Sequence, residues 1–213
     1  MPNHVYNTVT LTGNFRDLTK LKLLLNMPHE CQHINGDNSI SSFNFYSLIA
    51  PDKSVWDEYY GVEPKYEDFK DRLLHSTNHW YDWNIRNWGT KWNAYDVEQS
   101  DTFDMDDIDD DLNSITYNFN TAWSPPDKII EALANKIEEL KLKVTFDWFY
   151  EEEQGWGGEL NYDGNTLNVV GEWDIPASHA DYESRDKVEN CLCGWSEDMD
   201  DWFGDCPRPE ESK

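Results

Sequence analysis

Along "HVYNTVTLTG", Val5, Asn7, Val9 and Leu11 alternate with Tyr6, Thr8, Thr10 and Thr12, and Gly13 closes the run. Period two with β-branched residues predicts a strand. The period then changes, because Leu18, Leu21, Leu24 and Leu25 follow at helical spacing, with Asn14 placed as a cap and Pro28 as a stop. "SISSFNFYSLIAP", 39–51, returns to period two through Ile40, Phe43, Phe45 and Tyr46 and predicts a second strand that Pro51 ends.

Between Lys65 and Trp88 the apolar positions suit one or two helical pieces, which we read as an insertion at about 52–88. "KWNAYDVEQSDTF" and "SITYNFNTAW" predict antiparallel strands joined by the acidic run "DMDDIDDDLN". "SPPDKIIEALANKIEELK" gives the clearest helix, with Ser124 as cap, a proline to begin it, and Ile129, Ile130, Leu133, Ile137 and Leu140 on one face. "KVTFDWFYEEE", "GGELNY" and "NTLNVVGEW" read as a meander with Asp163-Gly164 as a two-residue hairpin signal.

The order is close to βαββαβ with additions. It predicts an α+β, ferredoxin-like antiparallel sheet with helices packed on one face, an extra C-terminal hairpin and an acidic tail. The expected division is a domain over 1–173 and a Cys-containing tail or appendage over 174–213.

Taken in order, "MPNHVYNTVTLTG", "NWGTKWNAYD" and "FNTAWSPP" resemble the YubB-type ferredoxin-like family, encoded mainly by phages and plasmids. The resemblance spans roughly 1 to 172. It implies a fold and a mobile-element origin, and it supplies no catalytic residues. The run from Asp104 to Asp111 and the tail lie outside its pattern.

Charge sharpens the picture more than size does. The 213 residues include 43 acids and 17 bases, for a formal net charge of −26. Such a chain repels phosphates and anionic lipid, whose binding takes clustered Lys and Arg, so we expect no direct nucleic acid and no membrane among its partners. A basic protein is the expected one, and oligomeric state is not legible. Eleven Trp and an aromatic share of 15% predict a largely aromatic core. No apolar stretch approaches the roughly 20 residues of a bilayer span, which places the chain in the cytoplasm. The four cysteines read as reduced thiols.

Four constellations carry candidate chemistry. In "WGTKW", Thr90 and Lys91 are candidate donors to an anion and Trp88 and Trp92 candidate stacking surfaces, while the same segment also reads as an ordinary strand entry. For metals, His29, Cys31 and His33 form H-x-C-x-H, His75 and His79 lie four apart, and Cys191, Cys193 and Cys206 add thiols; none of these has the paired C-x-x-C of a zinc knuckle, and we expect no metal and no cofactor. A calcium loop starting at Asp107 fails, because Leu112 stands where glycine must turn the chain and Asn118 where a bidentate Glu is needed. No nucleophile elbow, P-loop or H-E-x-x-H occurs, so the chain is not expected to be an enzyme.

The acids read better as a surface. Asp104, Asp106, Asp107, Asp109, Asp110 and Asp111, with Glu151 and Glu153 two apart on one strand, are spaced to imitate a nucleic-acid backbone. One expectation follows: an accessory protein of a phage or mobile element that binds and inhibits a basic, nucleic-acid-handling host protein as an anti-defence, nucleic-acid mimic. The alternative is a module that binds or sequesters a nucleotide or other small ligand through Trp88 to Trp92. A merely solubilising surface remains the bland reading of the same charge.

Overall fold

The computed structural model describes residues 3–29, 41–52, 80–103, 113–174, 195–196 and 201–202. Its main sheet has six antiparallel strands: β1 (His4–Gly13), β2 (Tyr95–Thr102), β3 (Asn113–Ala122), β4 (Val144–Glu152), β5 (Gly157–Tyr162) and β6 (Leu167–Trp173). They lie in the order β2-β3-β1-β4-β5-β6. Among the described residues three helices accompany them: α1 (Phe15–Leu25), α2 (Trp80–Trp88) and α3 (Asp127–Glu139). The first four strands with α1 and α3 make βαββαβ, and β5 and β6 extend the sheet beyond β4 as an antiparallel meander. The α+β, ferredoxin-like reading therefore holds. A separate two-stranded ladder, β7 (Trp195–Ser196) with β8 (Asp201–Trp202), falls within the stretch read as tail.

Alternation decides which way each strand residue points. Val5, Asn7, Val9 and Leu11 of β1 face the helices together with Ile115, Tyr117 and Phe119 of β3 and Val144, Phe146, Trp148 and Tyr150 of β4. Leu18, Leu21 and Leu25 of α1 and Ile129, Ile130, Leu133 and Ile137 of α3 close over them. The aromatic core anticipated from composition is present, with Phe43 stacked on Phe119 and edge-on to Tyr117 and Trp148. Among the buried polar side chains, Asn7 is paired at both ends of its amide: it donates to Val5 O and Thr121 Oγ1, and its Oδ1 accepts from the Trp148 indole. Pairing of that kind is what makes a buried amide tolerable.

Several local expectations change. The segment read as a second strand contains, over its described residues, a single 3-10 turn at Phe45–Ser47. Asn44 is the cause: its Oδ1 accepts from Tyr46 N and its amide donates to Met27 O, so its side chain bends the backbone away from a ladder. Phe43, Phe45 and Tyr46 all turn inward as a result. Of the proposed 52–88 insertion, the helix Trp80–Trp88 is seen, and 53–79 lie outside the described residues. Asn14 caps α1 as expected, accepting from Asp17 N. Ser124 does not cap α3, where Pro126 holds the cap position; its hydroxyl donates to Gly89 O instead. Leu140 lies at the α3 C-cap and is exposed rather than on the buried face. The β5–β6 hairpin is real but its loop has four residues, because Asp163 Oδ1 accepts from both Asn165 N and Thr166 N and closes a wider turn around Gly164.

Candidate functional site: an acidic sheet face and its aromatic corner

The helices cover one side of the sheet, and the strand residues of opposite parity form a second face. From β1 it carries Tyr6, Thr8, Thr10 and Thr12; from β3, Ser114, Thr116, Asn118 and Asn120; from β4, Thr145, Asp147, Phe149 and Glu151. Hydroxyls and amides bridge the strands, with Thr8 donating to Asn118 Oδ1, Thr10 paired with Thr116, and Asn161 donating to Asp147. None of its strand positions is Lys or Arg.

Three of its six strands, β2, β4 and β5, place acids on it. Glu98 lies opposite Asn118, Asp147 opposite Thr10, Glu151 opposite Tyr6 and Glu159 opposite Phe149. Asp96 reaches toward Asn120 and Glu153 toward His4 at one end. Of the described bases, Arg16, Lys20 and Lys22 lie on α1, Arg86 on α2, Lys128 and Lys136 on α3, and Lys141 and Lys143 between α3 and β4, while Lys91 stands at the corner where the face ends. Those helices pair their lysines with acids, as in Lys20–Asp17, Lys128–Glu131 and Lys136–Glu139, and Lys22 pairs with Asp101 of β2. The helix side therefore carries charges of both signs, whereas the charged strand positions of the other face are acids.

Apolar surface interrupts the acids at two places. Trp173 folds across Gly157 and lies 5.6 Å from Phe149, where any Cβ on Gly157 would come within 2.9 Å of the indole. Tyr6, 53% exposed, stands between Asn120 and Glu151. Aromatic rings beside carboxylates are the composition of a docking surface for Arg and Lys, which stack and pair at once.

At the end of the face where β1 begins and β3 ends, "NWGTKW" makes a corner. Trp88 is not at the surface: it is wholly buried, edge-on to Phe45, Tyr46 and Trp83, and its indole donates to Ile49 O. Gly89 follows at φ +85°, and a Cβ there would also meet Asp127 N at 3.0 Å. Only glycine combines that dihedral with that approach. Thr90 is buried too and donates to Ala122 O. Trp88 and Thr90 thus drop out as direct ligand contacts, because both are spent on holding the loop to the core. Lys91 and Trp92 stay at the surface.

Lys91 has an unusual setting. Its ammonium lies 4.4 Å from the Trp123 ring centre, 4.8 Å from that of Trp92 and 5.7 Å from that of Tyr81. Each contact contributes about 0.5–1 kcal/mol when exposed and more when desolvated. Trp123 holds its place at φ 72°, a left-handed conformation that costs a non-glycine residue on the order of 1–3 kcal/mol. The neighbouring bonds fix it there: Trp123 N–H donates to Asn3 O, and Thr121 Oγ1 donates to Ser124 O.

Beside Trp92, edge-on at 5.9 Å, stands Tyr95. Its hydroxyl shares a 2.5 Å hydrogen bond with His4 Nδ1, whose Nε2 faces Glu153 at 3.8 Å. Burial, with the nearby charges of Asp96 and Glu153 and the phenol of Tyr6, pushes the Tyr95 hydroxyl up to about 12, so it stays a neutral phenol. A chain of Glu153, His4 and Tyr95 ties the β1, β2 and β4 ends together.

The sequence-based site residues divide accordingly. Glu151 and Glu153 lie on and at the end of the acidic face, whereas Asp104, Asp106, Asp107, Asp109, Asp110 and Asp111 lie outside the described residues, as do Cys31, His33, His75, His79, Cys191, Cys193 and Cys206. His29 is described and stacks on Tyr46. Among the described residues no group of three or more His, Cys, Asp or Glu is placed to hold a metal ion, and no helix is long and apolar enough to cross a membrane. Sequence reasoning missed Glu98, Asp147 and Glu159, whose strand parity was a usable signal, and Tyr81 and Trp123, for which spacing gave none. No curated protein and no solved structure matches the chain. Residues 87–192, just under half of it and starting at the loop that builds this corner, match the family model of the ferredoxin-like domain in Api92-like protein.

Proposed function

We propose that this protein is a non-enzymatic accessory protein of a phage or other mobile element, of the YubB type, whose open sheet face binds and inhibits a basic, nucleic-acid-handling host protein in the host cytoplasm. One observation carries the reading: Glu98, Asp147, Glu151 and Glu159 share a face whose strand positions include no Lys or Arg. Asp147 and Glu151 on β4 and Glu159 on β5 lie on adjacent strands about 4.8 Å apart, close enough to present a field rather than isolated charges, and Glu98 on β2 lies three strand spacings from β4. A protein that ordinarily neutralises phosphates meets there a surface of the same sign. Its anti-defence role as a nucleic-acid mimic follows from that competition.

The small-ligand alternative loses two of its four contacts to burial, since Trp88 and Thr90 support the loop from inside. The test compares the native chain with Glu98→Gln, Asp147→Asn, Glu151→Gln and Glu159→Gln combined. The native protein should retain a nucleic-acid-binding protein from host lysate, release it as salt rises, and block its binding to DNA or RNA, while the combined variant does none of these. Recovery of no such protein, or equal capture by the variant, sinks the reading.

A further inference from the structure

We infer that Tyr81, Trp92 and Trp123 form a cation-binding cage in which Lys91 is the resident plug, exchanged for an arginine guanidinium of the docked partner. The inference rests on the basic-partner reading for the identity of its ligand. Its geometry rests on the three rings alone.

Aromatic faces attract cations through their quadrupoles, and three rings within 6 Å of one point select that chemistry. Their present occupant is an ammonium, at 4.4, 4.8 and 5.7 Å from the three ring centres. Two walls are open to solvent, Trp123 by 43% and Trp92 by 37%. The walls do not depend on the plug. Tyr81 sits on α2 and is edge-on to Trp123 at 6.0 Å, Trp92 is edge-on to Tyr95, and the Trp123 backbone is bonded to Asn3 O.

Lys91 itself is less securely held. It makes no ion pair among the described residues, in a chain where acids outnumber bases 43 to 17, and it hangs on a flexible four-carbon stem. An ammonium released from the cage is strongly hydrated by water, whereas a guanidinium is planar, weakly hydrated and stacks on indole. Exchange of one for the other is favoured in that direction. The cage also adjoins the acids: Trp92 touches Tyr95, and Tyr95 is flanked by Asp96 and Glu153. A basic segment lying along the open face reaches the corner with a guanidinium already near the rings.

The test needs no protein partner. Acetyl-arginine amide is titrated into the full chain at constant ionic strength, with Trp fluorescence as readout, for the native protein, Lys91→Ala, and Lys91→Ala combined with Trp123→Leu. Removing the plug should give saturable quenching roughly tenfold tighter than in the native chain, and removing the ring should abolish it. Should the Trp123 change lower the melting temperature sharply, Lys91→Ala with Trp92→Leu takes its place. Equal binding by the native chain and Lys91→Ala overturns the plug. So does quenching of the native chain by ATP that Lys91→Ala abolishes, since Lys91 would then be an anion donor. A cage that fails here leaves capture by the open face standing, and loss of capture leaves the titration intact.

Discussion

The two sides of the sheet are written with the same strands and different alphabets. On the helix side β4 places Val144, Phe146, Trp148 and Tyr150; on the open side the intervening residues are Thr145, Asp147, Phe149 and Glu151. A one-residue slip of register would exchange them and put two carboxylates into the aromatic core. The helix side is therefore specified by packing, and the open side is free to carry charge because packing makes no demand on it. Phe149 and Trp173, which lie together, and Tyr6 are the aromatic exceptions on the open side.

The comparison breaks most visibly at Trp148. Trp148→Ala should lower unfolding free energy in urea by about 3–5 kcal/mol, since it empties the core and strips Asn7 Oδ1 of its donor, while Thr10→Ala on the opposite face should change it by less than about 0.5 kcal/mol. Glycines give the next contrast. Gly89→Ala forces φ +85° on a residue with a Cβ and crowds Asp127 N, for an expected loss of about 1–3 kcal/mol; Gly171→Ala, on the open side with nothing within 4 Å, should be close to neutral in the same assay. A near-neutral Gly89→Ala would mean the loop can shift without consequence.

Smaller effects test the electrostatics. Burial raises the Asp17 carboxyl, but hydrogen bonds from Lys143 N, Asn14 and Lys20 and the Lys20 charge outweigh it and leave it below the usual 3.8. A depressed folded value means this contribution is complete above about pH 4 and is lost as pH falls through the lower folded value. Asp17→Asn should therefore flatten the acid limb of a melting temperature against pH curve. Asp127 has the opposite sign: burial, reinforced by Glu131 and Glu172 and opposed by Lys128, raises it, so its contribution is present below the usual value of 3.8 and lost as pH rises through the folded one. Asp127→Asn should steepen the relative loss on acidification, because it removes a group that gains as pH falls. Smallest of all, Glu98→Gln combined with Glu159→Gln should raise the melting temperature slightly at low salt and leave it unchanged at high salt, since like-charge repulsion is what the pair of changes relieves.

Most elements were legible because periodicity changes cleanly from two to 3.6 and back. β1, α1, β3, α3 and β4 fall where their patterns put them. What failed was local: Phe43, Phe45 and Tyr46 have a strand's spacing, but Asn44 supplies side-chain bonds that no pattern of apolar positions reveals. At the site, parity made Glu151 readable as surface, yet the single sign of the whole face emerged only once β2 was set beside β3 and β5 beside β4. The cage was beyond reach for a related reason, since its walls come from Tyr81, Trp92 and Trp123 and meet only through the turn after β3.

The strand order has one further effect, on folding time. β1 lies in the interior of the sheet, yet its partners are β3 and β4, and Val5 pairs with Glu152 across 147 positions of sequence. One edge of β1 is met by β3, but the other has no partner until Val144–Glu152 follows, and the sheet closes only then. Long-range pairing of this kind makes for slow folding and for intermediates that aggregate. The large negative charge keeps such half-built chains apart.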